Sequence, residues 1–212
     1  HEKRNIKKNK LINFNLFLRT IALIFTFAFI TAQGARYGGI VLGANAILMN
    51  LQNLLAYVLD GFAHAAEALV GKAVGKKDTQ LFKSAVNICL KWSVYIAIIF
   101  ALIYALTGKY MISLMTHHQI IRDTAIEYLP WMIISPIVSV WSFLYDGVFV
   151  GATRSKDMRN AMLGSLFLVF LPSWYFLQPL GNHGLWLTFT LFMISRGVTM
   201  HFLYRRIDLT SD

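Results

Sequence analysis

The chain has 212 residues, of which 57% are hydrophobic and only 14% charged, and it carries a net charge of +10. With a positive mean hydropathy, that balance excludes an ordinary soluble domain and points to a bilayer as the main solvent. The basic residues gather in short clusters between long apolar runs, which also argues against a nucleic-acid surface and for loops beside anionic lipid headgroups.

Residues 1–10 form a basic segment ending at Lys10. It begins without Met and without a signal-peptide core, and is expected to follow from a longer protein. A crossing helix needs about 20 apolar residues, and six segments qualify, at about 11–33, 41–74, 85–107, 120–151, 158–180 and 184–204. The flanks alternate. They are basic before the first span, nearly neutral at Gly34–Leu42, basic at Lys72–Lys83, sparse at Gly108–Gln119, basic at Arg154–Arg159, neutral at Gly181–His183, and basic again at Arg205 and Arg206. Every flank obeys the positive-inside rule with both ends in the cytoplasm. The fold class is therefore all-α integral membrane, a six-helix unit over residues 11–206 followed by a short tail at 207–212.

Two spans exceed a simple crossing. Val41–Val74 would run about 51 Å and is expected to tilt, project beyond the bilayer or break. The 120–151 segment contains Pro130 and Pro136, which are expected to bend or interrupt it. Met111–Met115, just before it, reads as an interfacial helical turn on the outer side.

The second span holds the main functional signal. Asn50, Asn53, Tyr57, Asp60, His64, Glu67 and Gly71 recur at spacings of three and four, which places them on one helical stripe. Ionisable groups at membrane depth are costly, so such a stripe is expected to line a water-filled cavity or another helix. His64 lies one turn from both carboxylates, where it could relay protons, or serve only as an interhelical donor. The Asn residues could equally act as interhelical glue. Arg19 and Arg196 also fall within spans and are candidate partners for Asp60 and Glu67.

A second Asp-Gly pair echoes the first. Asp60-Gly61 precedes Gly75-Lys76-Lys77-Asp78, and Asp146-Gly147 precedes Gly151 and then Arg154-Ser155-Lys156-Asp157. Asp146 is expected to join the cation pathway or to pair with Arg154 or Arg196. The single cysteine, Cys89, lies in an apolar segment and reads as a small buried residue. There is no phosphate loop, no Cys pair or HExxH to hold a metal, and no GxSxG nucleophile elbow, which disfavours an ATP-driven pump or an enzyme.

The runs Gly43–Leu48 (GANAIL), Leu54–Ala63 (LLAYVLDGFA) and Ala65–Gly71 (AAEALVG), with Asn15–Thr20 (NLFLRT) and Asp146–Thr153 (DGVFVGAT), resemble the multidrug and toxic compound extrusion (MATE) transporters of the DinF branch. The resemblance covers nearly the whole chain. It implies the second lobe, helices seven to twelve, of a twelve-helix fold with pseudo-symmetric halves, the first lobe being absent from this sequence. It also implies alternating-access export of organic, often cationic, amphipathic compounds against protons, with sodium as the other coupling ion, in the plasma (inner) membrane and without a cofactor. Asp146 matches an acidic tenth-helix position that sodium-coupled members use, but their seventh-helix acidic partner has no match among Asn13 to Gln33. Competing readings are a lipid or oligosaccharide flippase of the same superfamily, a structural lobe without transport chemistry, and an intramembrane enzyme built on His64.

Overall fold

A computed structural model describes residues 2–210. They form six antiparallel helical rods joined by tight turns: α1 (Glu2–Ala35), α2 (Gly39–Gly75), α3 (Thr79–Met115), α4 (Gln119–Gly151), a fifth rod built from α5 (Ser155–Gly164), a π-helical stretch Ser165–Phe170, α6 (Leu171–Leu177) and a short 3-10 turn, and finally α7 (Asn182–Arg205). The first five rods are each long and apolar enough to cross a membrane.

The sixth, α7, falls short of that apolarity because it carries Thr188, Thr190 and Arg196, all buried, among its residues. Its polar groups face protein, where Thr188 and Thr190 donate back to the carbonyls of Gly184 and Trp186. A helix shielded by its neighbours can hold side chains that a lipid-facing helix cannot.

Both long spans run as unbroken helices. α2 continues from Gly39 to Gly75, so its excess length projects or tilts rather than breaks. α4 keeps both Pro130 and Pro136 within one continuous helix that packs against α2, α3 and α7. A proline does leave a mark in the fifth rod. Its π-helical stretch lies just before Pro172, where the missing N–H and the ring's clash with the preceding turn favour a wider coil. Met111–Met115 is no separate interfacial turn; it is the end of α3, which stops at Thr116.

The ends of α2 and α4 repeat one another. Lys77 and Thr153 each adopt positive φ, 52° and 58°. The next N–H reaches back five residues in both cases, Asp78 to the Ala73 carbonyl at 3.1 Å and Arg154 to the Phe149 carbonyl at 2.8 Å. These are Schellman closures that satisfy the last carbonyls. Asp78 then caps α3 by accepting from the Leu81 N–H at 2.9 Å.

α4 is the centre of the lobe, packing on α2 most extensively and then on α3 and α7. The α2–α4 crossing is close enough to exclude any side chain on α4. A Cβ on Gly147 would lie 2.0 Å from the Ala63 carbonyl oxygen, and one on Gly151 would lie 2.5 Å from that of Glu67. Gly147 and Gly151 form a small-xxx-small contact, which lets two backbones gain dispersion energy where lipid offers no hydrophobic drive. Leu48, Leu51, Leu55, Leu59, Ala66, Val70 and Ala73 on the same side of α2 are all buried. Cys89 is buried and free among them.

Candidate functional site

The opposite side of α2 is the polar stripe, and within the lobe no helix covers it. Asn50, Asn53, Tyr57, Asp60 and His64 are exposed, Tyr57 at 76%, while Glu67 and Gly71 are half-buried. Neither Asn50 nor Asn53 glues helices together among the described residues; that task falls to Asn45 and Gln52 on the buried side. Two concavities open along the stripe. One, of about 450 Å³, is lined by His64, Glu67, Ala68, Gly71, Val150 and Gly151. His64 Nδ1 stands 3.5 Å from Glu67, and no hydrogen bond joins it to Asp60 among the described residues.

The second concavity holds the densest charge in the lobe. It has a volume of about 190 Å³, and its polar lining comes from Arg19, Gln52, Asn53, Asp60, Asp146 and Arg196. Four helices supply these groups. Asp146 Oδ2 accepts from Arg196 Nη2 at 2.8 Å and also from Arg19 Nη2. Arg196 is buried, with a side-chain exposure of 4%. The two arginines thus close on Asp146 rather than on Asp60 or Glu67, and Arg154 stays outside, 3.8 Å from Asp157. With Asp60 on the wall, two carboxylates balance two guanidinium groups.

That balance leaves hydrogen-bonding capacity unused. Asp146 Oδ1, Arg19 Nε and Arg196 Nε are buried without a partner among the described residues. Unpartnered polar atoms cost free energy in low dielectric. Among the described residues, α1 brings no carboxylate to this cavity; its polar contribution is Arg19.

A second buried polar network escaped the sequence reading. Asn45 and Asn182 exchange reciprocal amide hydrogen bonds of 2.8 and 2.9 Å, and Trp186 Nε1 donates to Asn45 Oδ1 at 3.0 Å. This neutral knot ties the start of α2 to the start of α7. Deeper in the lobe, Ser135 on α4 donates to Gln52 and lies 3.3 Å from Ser139. Asn45 and Gln52 are offset from the stripe by about a quarter-turn or more, a signal that periodicity alone assigns to the core and that only their amide character betrays.

The fold and this arrangement have relatives. The MatE family model matches residues 16–176. DNA damage-inducible protein F of Escherichia coli K12 is 39% identical over 207 residues, 95% of this chain and 44% of that protein. Multidrug resistance protein NorM of Vibrio vulnificus is 22% identical over 193 residues, 86% of this chain and 42% of that protein. A crystal structure of a Vibrio cholerae MATE transporter superposes with a TM-score of 0.88 at 16% identity, covering all of this chain and 50% of that one. The chain spans about half the length of the relatives it matches. On the family match over most of its residues, this six-helix chain belongs to the MatE family.

Proposed function

We propose that the lobe is the carboxyl-terminal half of a secondary multidrug exporter, which exchanges amphipathic, often cationic, compounds for protons by alternating access. The observation that carries this reading is the Arg19–Asp146–Arg196 cluster, with Asp60 on the same cavity wall, opening toward the uncovered face of α2. The names of the relatives, a DNA damage-inducible protein and a multidrug resistance protein, agree with it.

The mechanism follows from charge. With both carboxylates ionised the cavity is neutral, and a cationic compound there can share the carboxylates with the arginines. Protonating one carboxylate leaves the cavity with net positive charge, which repels a cation. Proton and substrate therefore exclude one another, which is the requirement for exchange. α1 brings Arg19 and no acid to the cavity, so protons are the proposed coupling ion. The missing amino-terminal lobe faces the stripe Asn50–Gly71 and forms the opposite wall. Both ends of this lobe face the cytoplasm of the plasma (inner) membrane, because the α2–α3 and α4–α5 turns and the two chain ends bring the basic residues to one side.

The test is drug/proton exchange by the full-length protein reconstituted in vesicles. Asp146→Asn and Asp60→Asn are each expected to reduce substrate-driven proton release at least tenfold, and a sodium gradient is expected to drive nothing. Export unchanged in both variants would remove the cluster from the mechanism.

A further inference from the structure

A cleft on the other side of the lobe serves none of these roles. Ile194, Gly197, Val198 and Phe202 of α7, with Ile137 and Trp141 of α4, line an almost wholly apolar groove of about 480 Å³. Its walls are open, with Val198 exposed at 49% and Phe202 at 59%. His201 also borders it, fixed by a 2.6 Å hydrogen bond with the Tyr145 hydroxyl. The α7 stripe continues past the groove to Arg205, one turn after His201, and Asp208 follows just beyond the helix end.

There the surface changes character. A second cavity, also of about 480 Å³, is formed by Phe82, Lys83 and Asn87 of α3 with Tyr204, Arg205 and Asp208. Phe82 and Tyr204 pack their rings at 5.7 Å and hold the two helices together beneath it. Lys83 and Arg205 are exposed, and neither is in a salt bridge among the described residues. Asp208 is the acidic group of this mouth, and hydrogen bonds from the Thr210 hydroxyl and N–H hold its carboxyl below the usual range. Among the described lining residues, two cations and one anion give the mouth a charge of +1.

An apolar trough that leads within three helical turns to a cationic mouth fits an amphiphile. From Ile194 to Arg205 the helical rise is about 16 Å, close to the thickness of one leaflet's hydrocarbon. The mouth lies at the end of the lobe that carries the basic turns, where an anionic leaflet would place its headgroups. We propose that this cleft binds one anionic phospholipid, its acyl chain in the α4–α7 groove and its phosphate between Lys83 and Arg205. The lipid would brace α7, the helix that carries Arg196, against α3 and α4.

The test uses the full-length protein in mild detergent, with native mass spectrometry to count retained lipid. Phosphatidylglycerol is expected to bind one to one and to be retained in preference to phosphatidylcholine of identical chains. The double variant Lys83→Gln with Arg205→Gln is expected to weaken phosphatidylglycerol binding by roughly 30-fold, from two surface cations each contributing a factor of about five. Val198→Trp, which fills the groove, is expected to weaken it without touching the mouth, and inorganic phosphate is expected not to compete. Equal retention of the two lipids, an unchanged double variant, or competition by inorganic phosphate would overturn the proposal. The wild-type comparison of the two lipids needs no variant, so it decides even if a substitution impairs folding.

Discussion

The same dipeptide, Asp-Gly, occurs on α2 and α4 in two opposite environments. Asp146-Gly147 is packed at the centre, its glycine against the Ala63 backbone and its carboxylate gripped by two arginines. Asp60-Gly61 lies on the open face, where a Cβ on Gly61 would meet nothing within 4 Å and where no described residue hydrogen-bonds the Asp60 carboxylate. A repeated motif is thus split between two jobs. One copy fixes the helix crossing and anchors the charge cluster, and the other presents a carboxylate on the uncovered face of α2.

The widest gap between the copies is expected at the glycines. Gly147→Leu forces α2 and α4 apart and should cost upward of about 3 kcal/mol, whereas Gly61→Leu should cost under about 0.5 kcal/mol. Thermal unfolding of the full-length variants in detergent reads the difference, and equal losses would mean that the crossing is not as close as described. The carboxylates come next. Asp146→Ala strands Arg19 and Arg196 and should destabilise by about 3–5 kcal/mol. Asp60→Ala, by contrast, should leave the melting temperature nearly unchanged while impairing transport.

The contrast between the buried and open sides of α2 extends to its amides. Asn45→Ala leaves Asn182 and the Trp186 N–H without a partner and should cost about 2 kcal/mol. Asn50→Ala should be silent in the same melt; a comparable loss there would mean that the Asn50 amide is packed against another helix. The smallest effect is expected at the turns that close the repeat. Asp78→Ala removes the cap of α3 and should cost about 1 kcal/mol, while Arg154→Ala removes no cap, because Arg154 makes no capping hydrogen bond to α5. Amide hydrogen exchange at Leu81 and at Asp157 would separate the two.

Much of the architecture was legible because lipid imposes simple arithmetic on sequence. Long apolar runs and alternating basic flanks gave the helices, their approximate ends and their order. The polar stripe of α2 was legible for the same reason, since three-and-four spacing is local geometry. In α7, Thr188, Thr190 and Arg196 dilute the apolar signal and are acceptable because other helices bury them. The prolines of α4 do not interrupt it, since their effect on the helix depends on neighbours that sequence does not name.

By itself the sequence determined six helices and the face of α2 on which Asp60, His64 and Glu67 stand. Tertiary structure alone decided which charges meet. Arg19 could have served Asp60, Glu67 or Asp146, and it serves Asp146 because the Gly147–Ala63 contact brings α4 close to α2 while α1 and α7 close around the same depth. Helical periodicity fixes a side chain's direction around its own axis, but pairing depends on the distance and rotation between axes. Those are set by the smallest residues at each crossing, whose spacing along the chain carries no mark of the partner they will touch.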